Sequence, residues 1–266
     1  MVDLRSSLYE LAVFGAKEAR ACIFPGLFLG VLALSMGVPR HWMARYDTVF
    51  LLTLGLQALL VWLRIESPQE VLVLTAFHGL GLALELFKTH PAIGSWSYPE
   101  PGFFKLGTVP LFSGFMYAAV ASYMCQAWRI LDLELSGYPP YLFSVPLCLA
   151  IYANFFTHHV LPDARWVLLA AVLVLFRHTR VHFTVTQPRR AMPLLLAFLL
   201  IGGFVWIAEN VSTYLGAWVY PNQLRHWAPV SLGKLSSWSL LVIVSFLIVA
   251  DLKHVRARRC PALSQP

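Results

Sequence analysis

Two acidic residues in this chain fall where apolar helices should end. Glu85 closes the apolar run of ALELFKTHPAIGSWSYP (83–99), and Glu209 does the same in IAENVSTYLGAWVYP (207–221). An ionisable group inside a membrane span costs roughly 2.5 kcal/mol or more near the centre, so an acid kept there marks a functional site by default. The chemistry open to such a pair is proton transfer: a desolvated carboxylate serves as a general acid, while a better solvated partner stays ionised. A turn with a glycine, two aromatic rings and a proline follows each acid. It supplies Trp96 and Tyr98 in the first case and Trp218 and Tyr220 in the second. The rings admit two readings: an aromatic belt at headgroup depth, or a tight turn folding them over the bundle end as a lid on an apolar ligand.

The stretch NFFTHHVLPDARW (154–166) adds His158, His159 and Asp163. Adjacent histidines on a helix point about 100° apart, so both reach one metal only by distortion. With Asp163 and the glutamates they would still supply ligand types that zinc or iron accepts. His78 lies seven residues before Glu85, two turns deeper on the same face, and Asn210 follows Glu209 directly. The acid/base candidates are therefore Glu85, Glu209, His158 and His159. The candidate substrate contacts are Trp96, Tyr98, Trp218, Tyr220, His78 and Asn210. His158, His159 and Asp163 are the metal candidates, and the sequence assigns no cofactor.

Placing these residues together requires a helical bundle in lipid. The 266 residues are 58% hydrophobic and 12% charged, with mean hydropathy +0.66, whereas soluble domains carry about a quarter charged residues. Runs long enough to approach a span fall near 21–38, 47–64, 70–88, 109–130, 142–160, 164–177, 193–214 and 235–252. The expectation is an all-α, polytopic membrane bundle of about eight spans, one integral membrane domain over 1–266. Residues 1–20 carry Leu4, Leu8 and Leu11 at helical spacing without a cleavage site, and read as an amphipathic helix on the cytoplasmic membrane surface. Residues 253–266 form a basic cytoplasmic tail.

Eight spans place thirteen of the twenty Lys and Arg residues on one side, among them Arg64, Arg129, Arg177, Arg189 and Arg190. The other seven, including Lys88, Arg165 and Lys234, lie opposite, so both termini are expected in the cytoplasm. The charge of +7 is then a topology signal and not a nucleic-acid footprint. The four cysteines show no CxxC spacing and support neither a disulfide framework nor a thiolate metal site.

The two acidic stretches repeat one pattern. Glu85 to Glu209 is an offset of 124, Trp96 to Trp218 one of 122, and Val109 to Val230 one of 121, with Gly79 and Gly203 each six residues before the acid. An offset spanning four helices keeps the halves in the same orientation, which implies a pseudo-twofold axis along the membrane normal. The match covers the third and fourth runs against the seventh and eighth. Both acids should then border one pocket in the outer half of the bundle, roofed by Trp96 and Trp218, with His158 or His159 donating to them.

With FGAKEARACIFPG, FHGLGLALELFKTH, GSWSYP, VPLFSGFMYAAVASYMCQAWR, IYANFFTHHVLPD and WIAENVSTYLGAWVYPNQ, the chain resembles, end to end, the YoaT-like family of bacterial integral membrane proteins. That family is of unknown function; the resemblance implies a helical protein of the bacterial inner membrane and brings no catalytic residue. The acid and GxWxYP turn are also similar to membrane carotenoid enzymes of the lycopene cyclase type. Those continue with Pro-Leu-Glu-Glu, where this chain has Pro110-Leu111-Phe112-Ser113. The expected function is a lipid- or isoprenoid-modifying or -binding membrane protein, its partners membrane lipid and an isoprenoid-like ligand and not nucleic acid. The alternatives are a small-solute transporter built on parallel repeats and an assembly partner without chemistry.

Overall fold

The computed structural model describes the backbone of residues 4–259 and the side chains of 5–250; Cys260 and the end of the basic tail lie outside the described residues. All eight apolar runs form helices, preceded by α1 (Leu4–Ala21): α2 (Ile23–Leu34), α3 (Arg45–Trp62), α4 (Pro68–Lys88), α5 (Ser113–Ile130), α6 (Tyr141–Thr157), α7 (Arg165–Phe176), α8 (Leu194–Tyr214) and α9 (Gly233–Arg259). Among the described residues three segments are long and apolar enough to cross a membrane: α4, α8 and Gly233–Ala250 of α9. A fourth is possible by length and composition if α1 and α2, bent by 61° to one another, count as one broken span. Helices α6 and α7 are apolar but shorter.

The start of α4 shows how locally these elements are specified. Ser67 accepts from the Glu70 amide at 3.2 Å, and Glu70 accepts in return from the Ser67 amide at 2.7 Å. Pro68 follows at the first helical position, where its missing N–H costs nothing. From that fixed start the helix runs 21 residues to Lys88 and so sets the depth of Glu85.

The all-α expectation needs one correction: the connections hold short antiparallel strands. β1 (Lys105–Leu106) pairs with β2 (Val109–Pro110), and a three-stranded sheet has the order β3 (Glu134–Ser136), β4 (Arg180–Thr184), β5 (Arg189–Pro193). In its register Glu134 faces His182 and Thr184 faces Arg189. Helix α1 docks on this sheet, where Lys17 Nζ donates to the Thr184 carbonyl at 2.9 Å and Glu10 pairs with Arg190.

Helix α5 lies at the centre of the bundle, packed against α1, α2, α4 and α9. Small residues on it (Ala118, Ala119, Ala121, Ser122) are all buried and let neighbouring backbones approach closely. The two most extensive helix pairs are α4 with α5 and α8 with α9, each with a glycine at its contact. A Cβ on Gly81 would come 2.3 Å from the Tyr117 ring, and one on Gly202 would come 2.4 Å from Ser239 Oγ. Gly79 and Gly203, the pair aligned by the repeat, have nothing within 4 Å. The outer faces of α6, α7 and α8 expose Leu142, Val167 and Phe204 by 76%, 72% and 71%. Soluble monomers rarely leave so much apolar surface uncovered.

Candidate functional site

Glu85 sits in the last turn of α4 and is 1% exposed. Its Oε2 accepts from Trp96 Nε1 at 2.7 Å and from the Tyr98 hydroxyl at 2.8 Å, and its Oε1 from the Tyr117 hydroxyl at 2.9 Å. Two donors come from the turn that follows the acid and the third from α5. Glu209, 4% exposed on α8, accepts from the Tyr220 hydroxyl on Oε1 and from Trp238 Nε1 of α9 on Oε2. Burial, reinforced by the carboxylate beside each, pushes the Tyr98 and Tyr220 hydroxyls well above the ordinary phenol value, so both remain donors at physiological pH.

The donors occupy corresponding places. Tyr98 and Tyr220 are 122 residues apart, and Tyr117 and Trp238 are 121 apart. Ser97 and Val219, also 122 apart, form an antiparallel bridge in which each amide donates to the other's carbonyl at 3.0 Å. The two turns thus meet backbone to backbone. Trp96 packs edge-on against Tyr220, with ring centroids 6.0 Å apart, and the Glu209 carboxylate lies within Coulombic reach of Glu85.

Both carboxylates border one cavity of about 660 Å³. Trp96, Trp218 and Tyr220 line it at the carboxylate end, and Phe183 and Met192 of the three-stranded sheet line the other. Between them it follows α5 from Tyr117 to Leu131, the residue that caps the helix, roughly 20 Å at the helical rise. Its walls are almost wholly apolar apart from Glu18 of α1, which accepts from the Tyr123 hydroxyl at 3.0 Å. Leu200 and Phe204 of α8 line it and are also exposed by 50% and 71%, so it opens sideways onto an apolar face.

The family model for proteins of unknown function designated DUF817 matches residues 10–246. The chain belongs to that family. It is 50% identical over 250 residues, 94% of either chain, to a Bacillus subtilis (strain 168) protein described as uncharacterized protein YoaT. No solved structure matches it.

In this DUF817 chain the remaining candidates sit apart from the carboxylates. The His158 ring donates from Nδ1 to the Asn154 carbonyl at 2.7 Å, stacks on His159, and turns its Nε2 toward Lys88. Lys88 Nζ donates to His159 Nε2 at 3.0 Å. The expected histidine donation to the glutamates is not the observed contact: indole and phenol groups supply the donors. Asp163 pairs with Arg165 at 2.8 Å and accepts from Asn154. Among the described residues, no three of His, Cys, Asp and Glu converge to hold a metal. His78 packs edge-on against Phe115, its Nδ1 buried without a hydrogen-bond partner among the described residues. Asn210 accepts from the Val230 amide at 2.9 Å, which ties down the approach to α9.

Tyr117 and Trp238 were missed in the sequence because each lies on a helix after the motif had ended. Continuing the 121-residue offset from Val109 and Val230 by eight positions reaches both.

Proposed function

We propose that this protein is a multi-pass membrane protein that binds and orients a long apolar, isoprenoid- or acyl-like ligand, with Glu85 and Glu209 at the ligand's polar end. The observation that carries the reading is the 660 Å³ cavity, apolar over most of its length and bordered by the two buried carboxylates of Glu85 and Glu209 at one end, with Glu18 of α1 on its wall farther along. Such a shape takes up a chain, and its few convergent polar groups set the direction in which the chain lies. The acceptor count allows a further contact. A carboxylate offers about four lone-pair sites, of which Glu85 uses three and Glu209 two. The free sites can receive a hydroxyl of the ligand or exchange a proton with it, and this is the acid/base role assigned to the pair. The lateral opening beside Phe204 lets a lipid-soluble molecule enter without passing through water.

The same reading has eight spans, α2 to α9, with both termini in the cytoplasm of a bacterial inner membrane, arranged as two parallel four-helix halves. Start positions favour the full duplication: α3 begins at Arg45 and α7 at Arg165, an offset of 120, and α4 and α8 are both 21 residues long. Reciprocal bonds between Ser97 and Val219 are what a two-fold axis through that point requires.

Untargeted lipid profiling of a deletion strain, together with extraction of lipids co-purifying with the protein, tests the function. A co-purifying long-chain species lost on Glu85→Gln supports it. Unchanged lipids with altered uptake of a small solute would instead favour a transporter.

A further inference from the structure

A second, smaller cavity of about 280 Å³ lies against the carboxylate end of the first. Its walls carry Lys88 from the end of α4, His158 from the end of α6, Arg165 from the start of α7 and Lys234 from the start of α9, with Ser95 and Ser237 between them. No acidic residue lines it. Lys88 is only 4% exposed, and its polar contacts are the two neutral ring nitrogens of His158 and His159. Among the described residues no carboxylate lies within ion-pair distance of Lys88 or Lys234. Arg165 is paired with Asp163, and the Lys234 ammonium lies over the Trp96 and Tyr220 rings at 5.6 and 4.6 Å.

A buried ammonium without a counter-charge is expensive, and proteins that keep one supply an anion. Among the described residues none stands within ion-pair distance of either lysine. The cavity has instead the composition of an oxyanion site: several cations, and the hydroxyls of Ser95 and Ser237, which have no hydrogen bond among the described residues. Its place matters as much as its charge. Trp96 and Trp238 line both cavities, each with its indole N–H fixed on one of the two carboxylates. A chain in the larger cavity therefore ends at the wall of the cationic one.

We infer that the smaller cavity binds a phosphate-type anion through Lys88, Lys234 and Arg165, as the headgroup of the amphiphile whose chain fills the larger cavity. This rests on the chain-binding reading above, and it narrows the ligand from any long apolar molecule to one bearing a phosphate or diphosphate end. Glu85 and Glu209 do not repel that end, because five N–H and O–H donors from Trp96, Tyr98, Tyr117, Tyr220 and Trp238 surround the carboxylates, and the cations lie beyond the indoles.

The test uses the full-length protein in detergent, with binding read from tryptophan fluorescence and three probes: hexadecyl phosphate, hexadecanol and inorganic phosphate. Hexadecyl phosphate should bind at least about tenfold more tightly than hexadecanol, as expected when charge-assisted hydrogen bonds are added. Lys234→Gln and Arg165→Gln should each shrink that ratio severalfold and leave hexadecanol binding unchanged. Lys88→Gln should abolish it, with thermal melting confirming that the variants remain folded. Equal binding of the two chain probes to the unaltered protein would overturn the anion site and leave the chain-binding reading intact. Inorganic phosphate binding as tightly as hexadecyl phosphate would show a free-anion site and overturn the headgroup assignment. Phosphate binding with no hexadecanol binding would remove the chain-binding reading instead.

Discussion

Each carboxylate is held by groups that can only give a hydrogen bond or that prefer to. Indole N–H is a donor alone, and the burial of Tyr98 and Tyr220 keeps their hydroxyls protonated. Tyr117→Phe removes one of three donors to Glu85 and should lower stability by about 1–3 kcal/mol, read as a lower melting temperature in detergent. Glu85→Gln should cost more, because its amide N–H2 would face donors already aimed at that position. A melting temperature for Glu85→Gln at or above that of Tyr117→Phe would show that the donors do not act on the carboxylate. His159 supports a pH prediction. Partial desolvation first, and then Lys88 beside it, push its imidazole down from 6.5 to about 4. Around it lie Lys88 from α4, Lys234 from α9, His158 and the Phe87 ring. A folded-state pKa below the unfolded one means that the unfolded chain takes up the proton first, so stability falls as pH drops from about 6.5 toward 4. His159→Asn should flatten that part of the melting profile, and an unchanged slope would remove His159 from the cause. Much of the residue scale was legible in advance. Glu85, Glu209, Trp96, Tyr98, Trp218 and Tyr220 announced themselves through a repeated turn. Lys88 and Lys234 read as topology signals, since nothing in a sequence shows that a lysine has no carboxylate within ion-pair distance.

At the scale of elements, Gly81 explains why Tyr117 can reach Glu85 at all. Gly81 lies four residues before Glu85 on α4, and the Tyr117 ring occupies the space where its Cβ would be. Gly81→Ala should therefore displace the ring, break the Tyr117 bond to Glu85 and destabilise by about 1–3 kcal/mol. Gly79→Ala meets nothing within 4 Å and should be neutral or raise stability by up to about 1 kcal/mol through helix propensity. Equal melting temperatures for the two variants would contradict this account. Aligning the glycines by sequence offset selected Gly79 and Gly203, the pair without contacts, because spacing reports periodicity and not which face of a helix meets a neighbour. The three-stranded sheet escaped for a related reason. Strands β4 and β5 are five residues each, and their Arg180, Arg189 and Arg190 gave the segment the look of a basic loop. Their alternation is visible only once Val181 and Phe183 are paired with Met192 and Arg190.

At the scale of the whole molecule, charge is sorted between the two ends. The end with α1 and the three-stranded sheet holds Lys17, Arg129, Arg180, Arg189 and Arg190; Arg129 donates to the Ile65 carbonyl at the α3–α4 turn, and Lys17 and Arg190 bind α1 to the sheet. The opposite end holds Arg45, Lys88, Arg165 and Lys234, with Arg45 bonded to Glu100 and to the carbonyls that end α8. Excess Lys and Arg in loops remain on the cytoplasmic side during insertion, so the sheet end should face the cytoplasm and the carboxylate end the outside. This orientation places the cationic cavity at the outer surface, and an anionic headgroup would reach it from the outer leaflet. Single cysteines at Gln187, in the β4–β5 turn, and at Asn222, in the short helical turn after Tyr220, test the orientation once the four native cysteines are replaced. A membrane-impermeant thiol reagent applied to intact cells should label the cysteine at position 222 and spare the one at 187 until the membrane is permeabilised. Labelling in the reverse order would invert the topology. Labelling of both positions in intact cells would mean that the two ends face the same compartment, which an even number of spans between Tyr220 and the sheet allows and the single span α8 does not.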